Sequence, residues 1–274
     1  EDTGLLTQYT LNGKALMRRP MTVDAFRCPS SNEVNKGNEW AQQGLRELVP
    51  IQAKISNIQT DANGIVSFNS SVTVRGRQLE QLRTFDGDGA TTFVKLSTPV
   101  TNRNTHFIVN AAWRVYPDGT ITLQSVILPR GRIIELGRLG YSFDLIPALD
   151  QVVYNARGPF ENYPDRKTGS FPGVYTDSVR NMVVKYARPN DMGNREEAIW
   201  VNLKDKSGRH GFTVTALNAE TFAFSALPYT ATELCLTKHW AELPEPGQKT
   251  ILTVLAVNRG LGGASCGPGP LNRD

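Results

Sequence analysis

Residues 105–128 read THFIVNAAWRVYPDGTITLQSVIL, and this stretch decides the fold. Apolar and polar side chains alternate on both sides of Pro117-Asp118-Gly119, with the period of two that is typical of strands. The proline fixes one φ and the glycine supplies a positive φ, so the three residues favour a tight turn. The stretch predicts a β-hairpin with an apolar, core-facing side. The residues on that side are Phe107, Val109, Ala111, Trp113, Val115, Ile121, Leu123 and Ile127.

Shorter strand patterns continue outward from this hairpin. Asn12-Gly13 predicts a hairpin turn within residues 5–17, and Lys206-Ser207-Gly208 predicts another. One short helix is expected near residues 38–48, where Trp40 and Leu48 have helix-like spacing, and no sustained helix is expected after residue 50. The missing crossover helices exclude a parallel α/β fold. Further strands are predicted at residues 64–68, 72–74, 132–145, 152–155, 198–203, 211–217 and 250–257.

Length and composition favour an all-β fold of one domain over residues 1–274, an antiparallel sandwich of large sheets. A net charge of +4, with scattered Lys and Arg, does not resemble a nucleic-acid-binding surface. No segment has the eighteen or so apolar residues of a membrane span. The polar start is not a signal peptide, so we expect a fragment of a longer, soluble protein, either cytoplasmic or periplasmic.

The cysteines and histidines give no sign of a metal site or cofactor. Cys28, Cys235 and Cys266 are odd in number and far apart, which fits neither a disulfide framework nor a paired metal motif. The histidines lack paired ligand spacing, so no metal is expected.

Residues 158–166 form the densest run of unusual residues in the chain, Gly158-Pro159-Phe160-Glu161-Asn162-Tyr163-Pro164-Asp165-Arg166. Two prolines exclude a helix interior or a central strand, so the run predicts a rigid polar loop. Arg166 is predicted to pair with Glu161 or Asp165. The two carboxylates lie four residues apart on one loop, and that spacing suits bracing Arg166 better than flanking a glycosidic bond.

His239 and Trp240 form a second polar and aromatic cluster, next to Glu242. An aromatic face covers the apolar patch of a pyranose while polar neighbours bind its hydroxyl groups, so these two residues are candidates for a sugar contact. A structural role is the alternative.

Several motifs together resemble the C-terminal domain of the glycoside hydrolase family 2 β-galactosidases, also called the small chain or fifth domain. Residues 158–166 match the family's Gly-Pro-x-Glu-Asn-Tyr-Pro-Asp-Arg at every position. His239 with Glu242-Leu243 is similar to its His-x-x-Glu-Leu, and residues 260–263 to its Gly-x-Gly-Gly. Residues 26–33, followed by Trp40, resemble its Arg-Ala-Pro-x-Asp-Asn-Asp segment and the tryptophan-bearing helix after it, with Ser31 and Glu33 in place of the two aspartates.

The resemblance implies a galactose-mutarotase-like supersandwich. It also implies that the catalytic carboxylates lie on a TIM barrel in another part of the enzyme, so this chain has no catalytic residue and is expected to be inactive alone. The implied partners are the remaining domains with that barrel, a β-galactoside substrate and, through the complete enzyme, further copies in a homo-oligomer. No cofactor is implied for this chain.

In the family, two loops of this domain approach the subsite for the leaving group. By position they correspond here to residues 32–37 and 264–267, which makes Asn32, Glu33, Cys266 and Gly267 the candidate substrate-binding residues. Gly267 stands where one form of the family has a stacking tryptophan, so stacking must be absent or come from another residue.

Two other functions stay open at this point. A stand-alone aldose epimerase would need His239 or His106 to face a carboxylate across a cleft. A carbohydrate-binding module would need Trp240 and Tyr163 together on an open concave face.

Overall fold

A computed structural model describes residues 3–76, 81–85, 91–95, 105–132 and 134–262 of the 274. For residues 34–36, 38, 81–85 and 91–95 only the backbone is described. The candidate residues Cys266 and Gly267 lie outside these ranges.

The described chain is all-β with short helices, which confirms the predicted fold class. The strands before the decisive hairpin are β1 Thr10–Leu11, β2 Lys14–Ala15, β3 Thr22–Asp24, β4 Leu48–Thr60, β5 Val66–Gly76, β6 Gln81–Phe85 and β7 Thr91–Lys95. The hairpin itself is β8 His106–Val115 and β9 Ile121–Arg130. The strands after it are β10 Arg138–Leu145, β11 Gln151–Gly158, β12 Phe171–Ser178, β13 Arg195–Ala198, β14 Trp200–Lys204, β15 Gly211–Thr215, β16 Phe222–Leu227 and β17 Thr250–Asn258.

Three antiparallel sheets of the described residues make the sandwich. Their strand orders are β13-β16-β17-β10-β3, β12-β11-β14-β15 and β4-β5-β8-β9. Buried side chains from all three, among them Phe107, Tyr154 and Leu252, belong to one hydrophobic cluster. A single shared core of this kind is what holds the sheets together as a sandwich.

The decisive hairpin forms with the predicted turn and faces. Val115 pairs with Ile121, and the Tyr116 amide donates to the Thr120 carbonyl at 2.9 Å. Gly119 has the positive φ that the turn needs, at +88°. Phe107 is fully buried, as the alternating pattern predicts. The turn at Asn12-Gly13 is confirmed in the same way, with β1 paired to β2.

The helices differ from the predicted positions. Helix α1 is Val34–Gln42 rather than residues 38–48, because Gly44 with φ +75° turns the chain out of the helical region. Trp40 anchors α1 to the core, where it is fully buried and donates its indole N–H to the Glu135 carbonyl at 2.7 Å. A second short helix, α2 Ala231–Leu236, was not predicted.

β12 and β16 are among the strands that the sequence did not predict. β16 is buried along its whole length, so it has no polar alternation to mark it. β12 contains Pro172 and Gly173, which weaken a strand pattern, but it lies at a sheet edge where proline is tolerated.

Candidate functional site

Residues 158–166, called here the anchor loop, leave the end of β11 and return towards β12. Gly158 still pairs with Phe171, and the Gly158–Pro159 peptide is cis. The Pro159 carbonyl accepts from the Arg195 guanidinium at 2.8 Å and from the Tyr154 hydroxyl at 3.2 Å. The run is an irregular polar loop, as predicted, and these hydrogen bonds hold its first residues.

Asn162 is the internal brace of the anchor loop. Its side chain is fully buried. The amide nitrogen donates to the carbonyls of Arg157 at 3.0 Å and Phe160 at 2.9 Å, and the amide oxygen accepts from the Glu196 N–H at 2.9 Å. All three bonds go to backbone groups, so the Asn162 side chain satisfies backbone donors and acceptors that have no partner strand in the loop.

Glu161 ties the loop to a neighbouring segment. Its carboxylate accepts from Arg166, from the Tyr186 hydroxyl and, at 2.8 Å, from the Gly193 N–H. The predicted Arg166–Glu161 pair is therefore confirmed, and the guanidinium also lies over the Tyr163 ring at 5.0 Å. Both carboxylate oxygens of Glu161 accept hydrogen bonds from these donors, so its role here is to hold the loop.

Tyr163 leads into a buried chain of charged groups. Its hydroxyl donates to Asp191 at 3.1 Å, and Asp191 contacts Arg138 at 3.2 Å, which also pairs with Asp24 at 2.8 Å. Burial raises the pKa of Tyr163 well above its usual value, with the negative charge of Asp191 adding to the effect. Burial raises the pKa of Asp191 as well, and Arg138 opposes that shift.

Asp165 connects the anchor loop to the glycine-rich segment. Its Oδ2 accepts the Gly262 N–H at 2.6 Å. A Cβ built on Gly260 would lie 2.4 Å from the Asp165 carboxyl carbon, and one on Gly262 would lie 2.8 Å from Oδ2. Both glycines are therefore required by the close approach of this carboxylate.

Arg27 holds the same segment from the other side. The fully buried guanidinium donates to the Gly260 carbonyl at 2.7 Å and to the Arg259 carbonyl, and it pairs with Glu33. Glu33 in turn accepts from the Ser30 N–H at 3.2 Å. Two segments more than 200 residues apart in sequence thus meet at one guanidinium.

The candidate residues at this junction differ in exposure. Asn32 is exposed, as a contact residue would be, whereas Glu33 is 3% exposed and engaged by Arg27. A direct substrate contact from Asn32 or Glu33 stays a prediction, and the burial of Glu33 favours a supporting role.

His239 and Trp240 lie at a separate corner. His239 is exposed and its Nδ1 accepts the Ala241 N–H at 3.2 Å, capping a 3₁₀ turn at Trp240–Glu242. Trp240 is 38% exposed, with the Lys185 ammonium 4.9 Å from its ring centroid. The indole therefore already has a cation against it, and a sugar contact stays a prediction.

The structure does not form the open face that a carbohydrate-binding module would need from Trp240 and Tyr163. Tyr163 is fully buried, so it does not join Trp240 on an open face. His210 Nδ1 lies 2.8 Å from Asp205 Oδ2, and both belong to the turn between β14 and β15. A carboxylate that faces His239 or His106 across a cleft, which an epimerase would need, stays a prediction. Hydrogen bonds from Ser207 and His210 hold the pKa of Asp205 far below its usual value.

Cys28 and Cys235 are both buried free thiols, the Cys28 thiol lies 3.6 Å from the Pro189 carbonyl oxygen, and burial raises the pKa of Cys28. Among the described residues there is no group of three His, Cys, Asp or Glu side chains placed to hold a metal ion. No helix of the described ranges is long and apolar enough to cross a membrane.

Sequence reasoning missed most partners of the anchor loop. Asp191 accepts from Tyr163, and Asn194 donates its side-chain amide to the Asn162 carbonyl at 2.7 Å, and no local pattern indicates that either residue is buried. The helix α2 did carry a signal, because Thr230 and Glu233 have the spacing of a capping box, which the structure forms.

Comparison with known proteins gives a family for this arrangement. A family model described as beta galactosidase small chain matches residues 1–274. The β-galactosidase of Staphylococcus xylosus is 23% identical over 268 residues, which cover 98% of this chain and 24% of that protein. The β-galactosidase of Actinobacillus pleuropneumoniae is 22% identical over 265 residues, covering 97% of this chain and 23% of that protein.

A more similar but shorter match is the β-galactosidase of Priestia megaterium. It is 31% identical over 159 residues, covering 58% of this chain and 15% of that protein. The chain thus spans about a quarter or less of the length of these three relatives.

Proposed function

The chain belongs to the beta galactosidase small-chain family, and from that premise we propose that it completes the leaving-group side of a β-galactosidase active site without supplying the catalytic carboxylates. The complete enzyme, a member of glycoside hydrolase family 2, hydrolyses terminal β-galactosides such as lactose. The remaining domains, including a TIM barrel, bind this chain and supply the reacting groups. Assembly of the complete enzyme into a homo-oligomer and a role in lactose catabolism belong to the same proposal.

The observation that carries the proposal is the junction at Arg27 and Asp165. These side chains bring the segment that ends at Glu33 against residues 259–262, which lead directly into the predicted second loop. The two segments that the resemblance assigns to the leaving-group subsite therefore start from one place. A site divided between two domains needs such a fixed edge on each of them.

The state of the carboxylates supports the absence of catalysis by this chain. Glycoside hydrolysis needs one carboxylic acid and one carboxylate facing the same bond. In the described cluster, Glu33 is engaged by Arg27, Glu161 by Arg166, and Asp191 by Arg138. Each of these three carboxylates is thus engaged by a structural partner in its ion pair.

The first experiment assays the purified chain on a chromogenic β-galactoside. We expect no turnover above buffer, because the reacting carboxylates are on other domains. Robust turnover that survives further purification would contradict the proposal.

Calorimetric titration separates the proposal from a carbohydrate-binding module. The isolated chain is expected to give no heat of binding with galactose or lactose, because the site is complete only beside the other domains. Saturable binding that is lost in Trp240→Ala would favour the binding module instead. Mutarotation of α-galactose, followed by polarimetry and accelerated by the chain, would favour the epimerase.

A further inference from the structure

The anchor loop contacts the glycine-rich segment at Gly262, just before the predicted second leaving-group loop in sequence. We propose that Asp165, together with Arg27, is a positioning residue that sets leaving-group selectivity in the complete β-galactosidase. This inference rests on the proposed function and names the residues through which the junction acts. Neither side chain is assigned a contact with substrate.

Asp165 fixes the backbone of the glycine-rich segment at Gly262, the last residue that the structure describes before the predicted second loop. Its bond to the Gly262 N–H, at 2.6 Å, links a charged acceptor to a backbone donor, which is among the stronger hydrogen bonds in proteins. Gly260 and Gly262 do not have the positive φ that otherwise calls for glycine. The carboxylate itself occupies the space of their missing side chains, so Asp165 and the glycines form one fitted unit.

The other carboxylate oxygen of Asp165 makes the contact easy to test. Oδ1 is buried and accepts no hydrogen bond from the described residues. Asparagine at this position keeps an oxygen that can accept the Gly262 N–H. Its amide nitrogen takes the place of Oδ1, so no existing hydrogen bond is lost. Alanine removes the acceptor and leaves the Gly262 N–H without its partner.

Arg27 transmits the same restraint to the first predicted loop. One guanidinium binds the carbonyls of Arg259 and Gly260 and also Glu33, the residue after Asn32. Ser30 adds a contact from its hydroxyl to the Leu261 carbonyl at 3.5 Å. A displacement of residues 260–262 therefore moves the neighbours of Asn32 as well, so Asn32 and the glycine-rich segment are adjusted together.

The restraint from Asp165 and Arg27 should control how the leaving-group sugar is placed relative to the catalytic groups. Small displacements of positioning groups cost large factors in rate, because the reacting geometry is met only within fractions of an ångström. The galactose half of the substrate is expected to depend on the domains that hold the catalytic carboxylates. Loss of the Asp165 bond should thus affect the leaving-group sugar and spare the galactose subsite.

The test compares Asp165→Ala with Asp165→Asn in the complete enzyme. The measurements are kcat/KM for lactose, kcat/KM for an aryl β-galactoside, and the inhibition constants of free glucose and free galactose. We expect Asp165→Ala to change the ratio of the two kcat/KM values by about tenfold, the factor for losing one charge-assisted hydrogen bond. The galactose inhibition constant should stay within about twofold, and Asp165→Asn should keep the wild-type ratio within about threefold.

Asp205→Ala is the matched control, because Asp205 also accepts a backbone N–H, that of Arg209 at 3.1 Å, in a turn away from the junction. It should leave the kcat/KM ratio unchanged.

If Asp165→Ala does not fold, Gly262→Ala provides the second test, since its Cβ displaces Asp165 while the carboxylate remains. An unchanged ratio in the folded variant, equal effects of alanine and asparagine, or the same shift in Asp205→Ala would overturn the inference. A wild-type enzyme without galactosidase activity would instead refute the proposed function.

Discussion

The anchor loop and the corner around Trp240 contain similar residues but are held very differently. Asn162 and Tyr163 are fully buried and bonded to a separate segment, at Glu196 and Asp191. Trp240 is 38% exposed, and within the described part of the chain the His239 ring accepts a hydrogen bond from its own turn, at the Ala241 N–H. Polar and aromatic residues in a specific motif can therefore be part of the architecture, whereas a weaker motif can lie at an accessible surface. The substitutions below test that difference from the largest expected effect to the smallest.

Asp191→Ala should be the most damaging change. It removes one of the two carboxylates that pair with the buried Arg138, and also the acceptor of the Tyr163 hydroxyl. Breaking a buried ion pair costs about 3 to 5 kcal/mol, and because Asp24 still pairs with the guanidinium we expect about 3 kcal/mol. The measurement is the free energy of unfolding by urea. Asp144→Ala serves as the control, since its partners Arg18 and Arg19 are exposed, and it should lose no more than about 1 kcal/mol. Equal losses in the two variants would contradict the role given to burial.

Asn162→Ala should come second, with a loss of about 2 to 3 kcal/mol, because two carbonyls and one N–H lose their partner in a buried loop. Thermal unfolding followed by circular dichroism measures the loss. In Asn202→Ala, which breaks one exposed bond to Thr213, the loss should stay below about 1 kcal/mol. A stable Asn162→Ala protein would show that the loop does not depend on this brace.

Glu233→Gln should have a smaller, pH-dependent effect. Burial alone would raise the pKa of Glu233, but hydrogen bonds from Lys249 and Thr230 outweigh it and lower the pKa. A lowered folded pKa stabilises the protein above the ordinary glutamate value of about 4.3, and this stability is lost as the pH falls through the folded value.

The difference in unfolding free energy between wild type and Glu233→Gln should therefore be about 1 kcal/mol at pH 6, since the pair is partly exposed, and should shrink towards pH 3. Urea unfolding at a series of pH values measures it. A difference that does not change with pH would mean that the charge of Glu233 contributes nothing.

Trp240→Ala should have the smallest effect, below about 1 kcal/mol, because it removes one exposed cation–π contact with Lys185. Differential scanning calorimetry detects the change. A loss as large as that of Asn162→Ala would show that the Trp240 corner is as structural as the anchor loop.

Local sequence patterns predicted the parts of this molecule that local physics controls. The alternation around Pro117-Asp118-Gly119 gave the correct hairpin, and the two prolines of the anchor loop gave a rigid corner. The pairing of Arg166 with Glu161 was predicted from proximity in sequence, with Asp165 as the alternative. Asp165 instead bonds to Gly262, 97 residues away, which no local pattern indicates.

The remaining features depend on contacts between distant segments. Arg27 and Asp191 look like ordinary surface residues in sequence, and only the folded chain buries them beside opposite charges. The helix α1 was predicted too late and too long because Gly44 was counted in the helix, whereas its positive φ ends the helix. Strand β16 gave no alternation because both of its faces are buried.

The most direct measurement of the central claim titrates this chain into the remaining domains of the enzyme, expressed as a separate polypeptide, while lactose hydrolysis is followed. We predict no activity from this chain alone, little from the other domains alone, and activity that rises to a plateau as the two associate. Full lactose hydrolysis by the other domains, unchanged when this chain is added, would contradict the account.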